Sequence, residues 1–187
     1  QITMLPTNEL ERNETQIDIA NFTMTTDYVQ YKAEAPLKVI SSAVHNAGIG
    51  WYDTFLNRSI APDYDIYSVK EETYDFLVNN NFSPTSTVVM MTAVATKCAA
   101  IQTFTHAELE IVIMVTAGVG NGVDVTKTYL RDEQPHVGTI NTWVFINGKL
   151  TDEAFIQAMI TATEAKTKAL ADQQVTDAFT GTIATST

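Results

Sequence analysis

Two apolar runs, Thr87–Met91 (TVVMM) and Leu109–Val115 (LEIVIMV), constrain this chain most. Both are of strand length and rich in Val, Ile and Met, which predicts strands covered on both faces rather than half-buried ones. Such strands need neighbours at their edges and layers above and below. The stretch between them, Val94–Phe104, reads as a helix, so the central part is expected to be a strand, helix, strand unit.

The flanking segments supply further elements. Gln16–Met24 and Tyr28–Ala33 alternate partly between apolar and polar residues and predict two half-buried strands, joined near Thr25–Asp27 as a hairpin. Leu37–Val44, just after Pro36, is a third strand expectation, running into the glycine-containing turn Asn46–Gly50. Ile140–Ile146 is a strand ending at the turn pair Asn147–Gly148. Ser68 with Glu71 three residues on has capping-box spacing, and Val69, Thr73, Phe76 and Leu77 recur at helical intervals until Asn79–Asn81, which predicts a helix over Val69–Val78. A longer helix is expected from Thr151, its N-cap, to about Gln173, with Asp152 and Glu153 on the positive end of the helix dipole. Together these elements predict a single α+β domain over residues 1–187, with a central mixed β-sheet covered by helices.

Along the long helix, Phe155, Ala158, Met159, Ala162 and Ala169 share one face, and Lys166 lies near the middle of it. An amine is therefore aimed inward, while Glu164, two residues earlier, points away and does not pair with it locally.

Composition narrows the function classes. Eleven basic against 22 acidic residues give a formal charge of -11, which disfavours nucleic acid as a partner. The start of the chain has no basic segment followed by an apolar core, and no apolar run is long enough to span a bilayer, so no membrane association is expected. Cys98 is the only cysteine, which excludes an intrachain disulfide framework and fits a reducing, cytoplasmic setting; within the expected helix it reads as a small buried hydrophobe. His45, His106 and His136 have no metal-ligand spacing. Serine-hydrolase elbow, zinc-protease and Walker motifs are all absent.

Several segments occur in an order that resembles the adenosylcobinamide amidohydrolase family: Ile40–Gly50 (ISSAVHNAGIG), Phe55–Arg58 (FLNR), Met90–Ala93 (MMTA), Val115–Asn121 (VTAGVGN), Thr139–Asn141 (TIN) and Leu150–Leu170. The resemblance implies hydrolysis of the amide that links the corrin ring of adenosylcobinamide to aminopropanol, giving adenosylcobyric acid for cobalamin salvage. It implies a small-molecule corrinoid as substrate, whose cobalt enters with it, and neither a resident cofactor nor a protein-bound metal. A homo-oligomer is compatible with it. Two departures stand out: Ala47–Gly48 replaces an expected glycine pair, and after Thr180–Thr187 the family's closing Thr-Asp and final apolar strand are not seen, so the chain is expected to stop short of the family's C-terminal end.

Amide hydrolysis needs a nucleophile, donors for the developing oxyanion and a proton for the departing amine. In the resembling motifs the catalytic candidates are Lys166, Glu164 and Ser42. Substrate-binding candidates are Ser41, Asn46, Gly48, Asn57, Thr92, Thr116, Gly118, Gly120, Asn121, Thr139, Asn141 and Thr163. Gly118 and Gly120 read as positions of close approach in a loop whose backbone N–H groups can hold an oxyanion. Each candidate has a plainer alternative: strand serines bond the backbone, asparagines cap turns, and a lysine stem can cover a core and turn its charge to water. The rival functional class is a corrinoid-binding or regulatory protein that keeps the fold without turnover.

Overall fold

The computed structural model describes residues 17–61, 63–64, 68–131 and 139–187. Of the expectations above, those for Gln16 and His136 lie outside these residues. Asp18 opens a single 3-10 turn at Ile19–Asn21, its carboxylate accepting from the Ala20 N–H at 2.8 Å. The expected hairpin follows: β1 (Phe22–Met24) pairs antiparallel with β2 (Tyr28–Ser41), and the Thr25 hydroxyl closes the turn by accepting from the Asp27 and Tyr28 N–H groups. β1 is shorter than the alternation indicated. β2 is longer, because the strand expected at Leu37–Val44 is its second half. Pro36, which has no N–H to give, sits where the pairing register with β3 (Gly48–Ser59) shifts between Lys32 and Leu37.

β3 pairs antiparallel with β2 and parallel with β4 (Thr87–Thr92), which makes a mixed four-stranded sheet in the order β1-β2-β3-β4. Past β2 the chain returns to the other edge of β4, where Val89 offers both its backbone groups to Val44 and His45. A second, antiparallel sheet contains β5 (Ala100–His106), β6 (Leu109–Ala117) and β7 (Ile140–Asn147).

The helix expected over Val94–Phe104 does not form. Thr96–Cys98 is one 3-10 turn and the rest of that stretch enters β5, which pairs with β6 from Ala100↔Val115 to His106↔Leu109. Ile101, Thr103 and Thr105 are β-branched at alternate positions, and the free edge of β6 offers their backbone a ladder. The connection is a tight turn at Ala107–Glu108 in which Ala107 takes φ 52° without help from Gly or Asn. Cys98 is exposed, not a buried hydrophobe in a helix.

Period-two alternation explains the layers. Val29, Tyr31 and Ala33 of β2, Phe55 of β3 and Val88 of β4 face Val112 and Met114 of β6 and Trp143 and Phe145 of β7 in one apolar core. Tyr31, Phe55, Trp143 and Phe145 form its aromatic centre, with the Tyr31 and Phe145 rings 4.4 Å apart. On the opposite face, Leu56 and Val89 meet Leu77 of α1 (Val69–Asn79), with Phe76 and Phe82 beside them. α1 starts where the spacing predicts, although the Ser68 side chain makes no cap bond. Arg58 fastens α1 to β3 through a two-pronged ion pair with Glu72 at 2.5 and 2.6 Å, its guanidinium stacked on Phe76. Tyr64 also donates to Glu72; burial first, then that bond, push its phenol up to about 12.

α2 (Asp152–Asp172) begins as expected, with the Thr151 hydroxyl accepting from the Ala154 N–H at 3.3 Å. Lys38 of β2 anchors its first turn by pairing with Asp152 at 2.5 Å. Phe155, Ala158, Ala162 and Lys166 are partly covered and Leu170 is buried. Met159 and Ala169, expected inward, are exposed. Both fall on the predicted stripe of the helical wheel, so the stripe is real but only part of it is covered. Among the described residues, no helix is long and apolar enough to cross a membrane.

Candidate active site

The core between the sheets is apolar except at one end. Asn57 follows Phe55 on the inward face of β3, Thr116 follows Met114 on β6, and Asn141 precedes Trp143 on β7, so alternation sends all three into the interlayer. They satisfy one another there. The Asn57 amide donates to the Thr116 hydroxyl at 2.8 Å, and the Asn141 amide donates to the Asn57 carbonyl and to the Met91 backbone carbonyl, each at 2.7 Å. Asn57 and Thr116 are 0% and Asn141 3% exposed. A polar chain this deep is stable only when closed on itself, and it joins both sheets at the ends of β3, β4 and β6 and the start of β7. Thr92 closes β4 at the same end, its hydroxyl accepting from the Val94 N–H at 3.0 Å.

From this base the glycine loop emerges. The Gly118 N–H donates to the Thr139 carbonyl at 3.0 Å, and the Thr139 hydroxyl reaches the Asn141 side-chain oxygen at 3.4 Å. A Cβ on Gly118 would meet Val94 at 3.1 Å, which makes it a position of close approach. Among the described residues a Cβ on Gly120 would meet nothing within 4 Å, whereas one on Gly122 would meet the Thr176 carbonyl at 3.0 Å, Ala184 at 3.1 Å and Val175 at 3.2 Å. Gly122→Ala is therefore expected to destabilise the protein by about 1–3 kcal/mol, and Gly120→Ala by less than about 0.5 kcal/mol. Paired denaturant titrations of the two variants check this.

The segment that crowds Gly122 is the C-terminal tail. Val123 exchanges both backbone bonds with Ser186, at 2.8 and 3.0 Å, and Ala184 donates to Val175. Asp177, fully buried, organises the tail by accepting from the N–H groups of Asp124, Phe179 and Thr180 and from the Arg131 guanidinium. The Asp124 N–H above all, helped by those of Phe179 and Thr180 and by Arg131, outweighs burial and holds the Asp177 carboxyl far below the usual range. A depressed folded-state value stabilises the protein above the unfolded value of about 4, and that contribution is lost as pH falls below it. Melting curves between pH 6 and pH 2.5 should accordingly show a stability gap between wild type and Asp177→Asn that narrows below about pH 4.

α2 meets this tail through Lys166, whose Nζ donates to the Ser186 hydroxyl at 3.1 Å, and through Thr167, which donates to the Thr185 carbonyl at 3.3 Å. Lys32, Lys38 and Lys168 each pair with an aspartate; Lys166 has no carboxylate partner among the described residues. The inward amine anticipated from the helical wheel thus lies beside the loop and tail, held among the described residues by a hydroxyl rather than by a remote ion pair.

The other candidates are placed as follows. Asn57, Thr92, Thr116, Gly118, Thr139 and Asn141 form one connected group, with Asn121 half-exposed in the loop that leaves it. Asn46, at φ 56°, is engaged elsewhere: its amide donates to the Pro84 and Thr87 carbonyls at the start of β4, about 17 Å along the strand from Thr92. His45 is engaged there too, its Nε2–H donating to the Pro84 carbonyl at 2.8 Å. The Ser41 hydroxyl accepts from the Ala43 N–H, and Ser42 and Gly48 are exposed in this turn. Thr163 returns its hydroxyl to the Met159 carbonyl, and Glu164 is exposed on the outer side of α2. Among the described residues, no hydrogen bond connects Ser41, Ser42, Asn46 or Gly48 with the Asn57 group.

Asp124, Arg131, Asp177 and Ser186 were not singled out from sequence. Asp124 and Asp177 are 53 positions apart and belong to no local motif. Only the capping pattern Asp-x-Phe-Thr at residues 177–180 hinted at one of them.

Comparison with family models places the chain among amide hydrolases. It belongs to the adenosylcobinamide amidohydrolase family, whose model matches residues 11–187. No curated protein and no solved structure matches the chain.

Proposed function

We propose that this protein hydrolyses the amide joining aminopropanol to the corrin ring of adenosylcobinamide, releasing adenosylcobyric acid for cobalamin salvage. Family membership supports the amide chemistry. The observation that carries the location is the Lys166 amine, unneutralised by any carboxylate among the described residues and bonded to a tail that packs against the glycine loop. In this reading Lys166 delivers the proton that the leaving amine needs, and the Val119 and Gly120 N–H groups of the loop hold the developing oxyanion. The buried Asn57, Thr116 and Asn141 carry no substrate contact; they hold the strand ends from which the loop springs. Among the earlier candidates, Ser41, Ser42, Asn46 and Gly48 then belong to the rim at most, and Glu164 to the solvated side of the helix.

The corrinoid is substrate and brings its own cobalt. Incubation of the purified protein with adenosylcobinamide, beside several simple secondary amides, tests both reaction and specificity. Mass spectrometry should find the corrinoid pool converted to the free acid and the simple amides intact; cleavage of the simple amides alone would transfer the activity to another substrate.

A further inference from the structure

We propose that Ser186 is the nucleophile of the amide cleavage and that Lys166 is its proton acceptor, an assignment that rests on the amidohydrolase reading above. The two side chains are already in hydrogen-bond contact, Nζ to Oγ at 3.1 Å, within the reach that nucleophile activation requires. Ser186 has its backbone N–H and C=O both committed to Val123, which fixes the residue next to the glycine loop and leaves the hydroxyl as its chemical group. Lys166 comes from a different element, α2, so the pair is made by the fold and not by sequence proximity.

Three hydroxyls at the base of the loop are already in use. Thr116 is fully buried under the Asn57 amide, Thr92 accepts from Val94, and Thr139 turns to Asn141. Thr54 also touches a lysine, Lys32, at 3.0 Å, but that lysine is neutralised by Asp53 at 2.7 Å and the hydroxyl donates to the same carboxylate. Ser186 faces an amine that has no carboxylate partner among the described residues.

A Ser-Lys pair completes the reaction with its own atoms. Ser186 Oγ bonds to the amide carbon as its proton passes to the neutral form of Lys166 Nζ. Collapse of the tetrahedral adduct breaks the C–N bond, and the departing aminopropanol nitrogen takes that proton. Water then attacks the Ser186 ester, giving a proton to Nζ, and the carboxylic acid leaves as Ser186 Oγ recovers its proton.

The plainer role for both residues is to tether the tail to α2, as Thr167 does through the Thr185 carbonyl. Comparing Ser186→Ala with Thr167→Val in the full chain separates the two. The nucleophile assignment predicts that Ser186→Ala loses at least about 100-fold in kcat on adenosylcobinamide, keeps its melting temperature, and still binds the corrinoid by visible-absorption titration, while Thr167→Val stays within about fivefold of wild type. Equal losses in both variants, or a folded Ser186→Ala that turns over within about fivefold of wild type, would overturn it. Should Ser186→Ala fail to fold, wild-type reactions quenched in acid through a single turnover decide: a corrinoid acyl adduct on the Ser186 peptide supports the assignment, and turnover with no adduct there overturns it. A wild type that releases no aminopropanol at all refutes the amidohydrolase reading itself, and the nucleophile with it.

Discussion

Lys166→Met is expected to lower kcat on adenosylcobinamide by at least about 100-fold while leaving corrinoid binding within a few-fold of wild type. Methionine keeps the aliphatic stem that lies against the tail and removes the amine, so the packing of α2 is retained and the hydrogen bond to Ser186 is lost. A single hydrogen bond at a partly covered position is worth about 1 kcal/mol, so the melting temperature should move by less than about 4 °C. A large kinetic loss against a small stability change is what a group acting on the leaving amine produces. A residue that only tethers the tail would show the opposite pattern, and steady-state kinetics with calorimetry on the same preparation separates them.

The second large effect is on stability. Asn57→Leu fills nearly the same volume but removes both the donor to Thr116 and the acceptor for Asn141 at a position with 0% exposure. Leaving those partners unsatisfied costs about 1–3 kcal/mol each, so a total near 3 kcal/mol or more is expected, a fall in melting temperature of roughly 6–12 °C. Because the network sets the ends of β3, β6 and β7, turnover should fall even below the melting transition. Urea titration and a fixed-temperature assay read the two effects separately. An Asn57→Leu protein as stable as wild type would mean that the sheets are aligned by the apolar core alone.

How far this arrangement could be read beforehand depends on how local each signal is. α1, α2, β4, β6 and β7 carry their periodicity in consecutive residues, and each appears within about two residues of its expected limits. β3 went unread because Gly48, Gly50, Asp53, Asn57 and Arg58 interrupt its pattern. The stretch leading into β5 reads as helix because Ala95, Ala99 and Ala100 favour that state locally, and only the distant edge of β6 overrules them. Its turn at Ala107 lacks the glycine or asparagine that marks most hairpins.

The site was legible in a different way. Asn57, Thr116 and Asn141 stood out through their motifs, yet the sequence could not say that they bond to one another instead of to a ligand. Burial alone decides that. Lys166 was found by helical spacing, whereas its partner Ser186 lies 20 positions away in a tail with no periodic signal. Asp177 escaped for the same reason, since four groups brought together by folding give a carboxylate its role.

The most direct measurement is the stoichiometry of amine release: aminopropanol and corrinoid carboxylate quantified together through a time course of the wild-type protein with adenosylcobinamide. One amine per molecule of corrinoid acid, rising together and in excess over enzyme, is the predicted result. A corrinoid that shifts its spectrum on binding and is recovered intact, with no amine in solution, would contradict the account and define a binding protein built on the same fold.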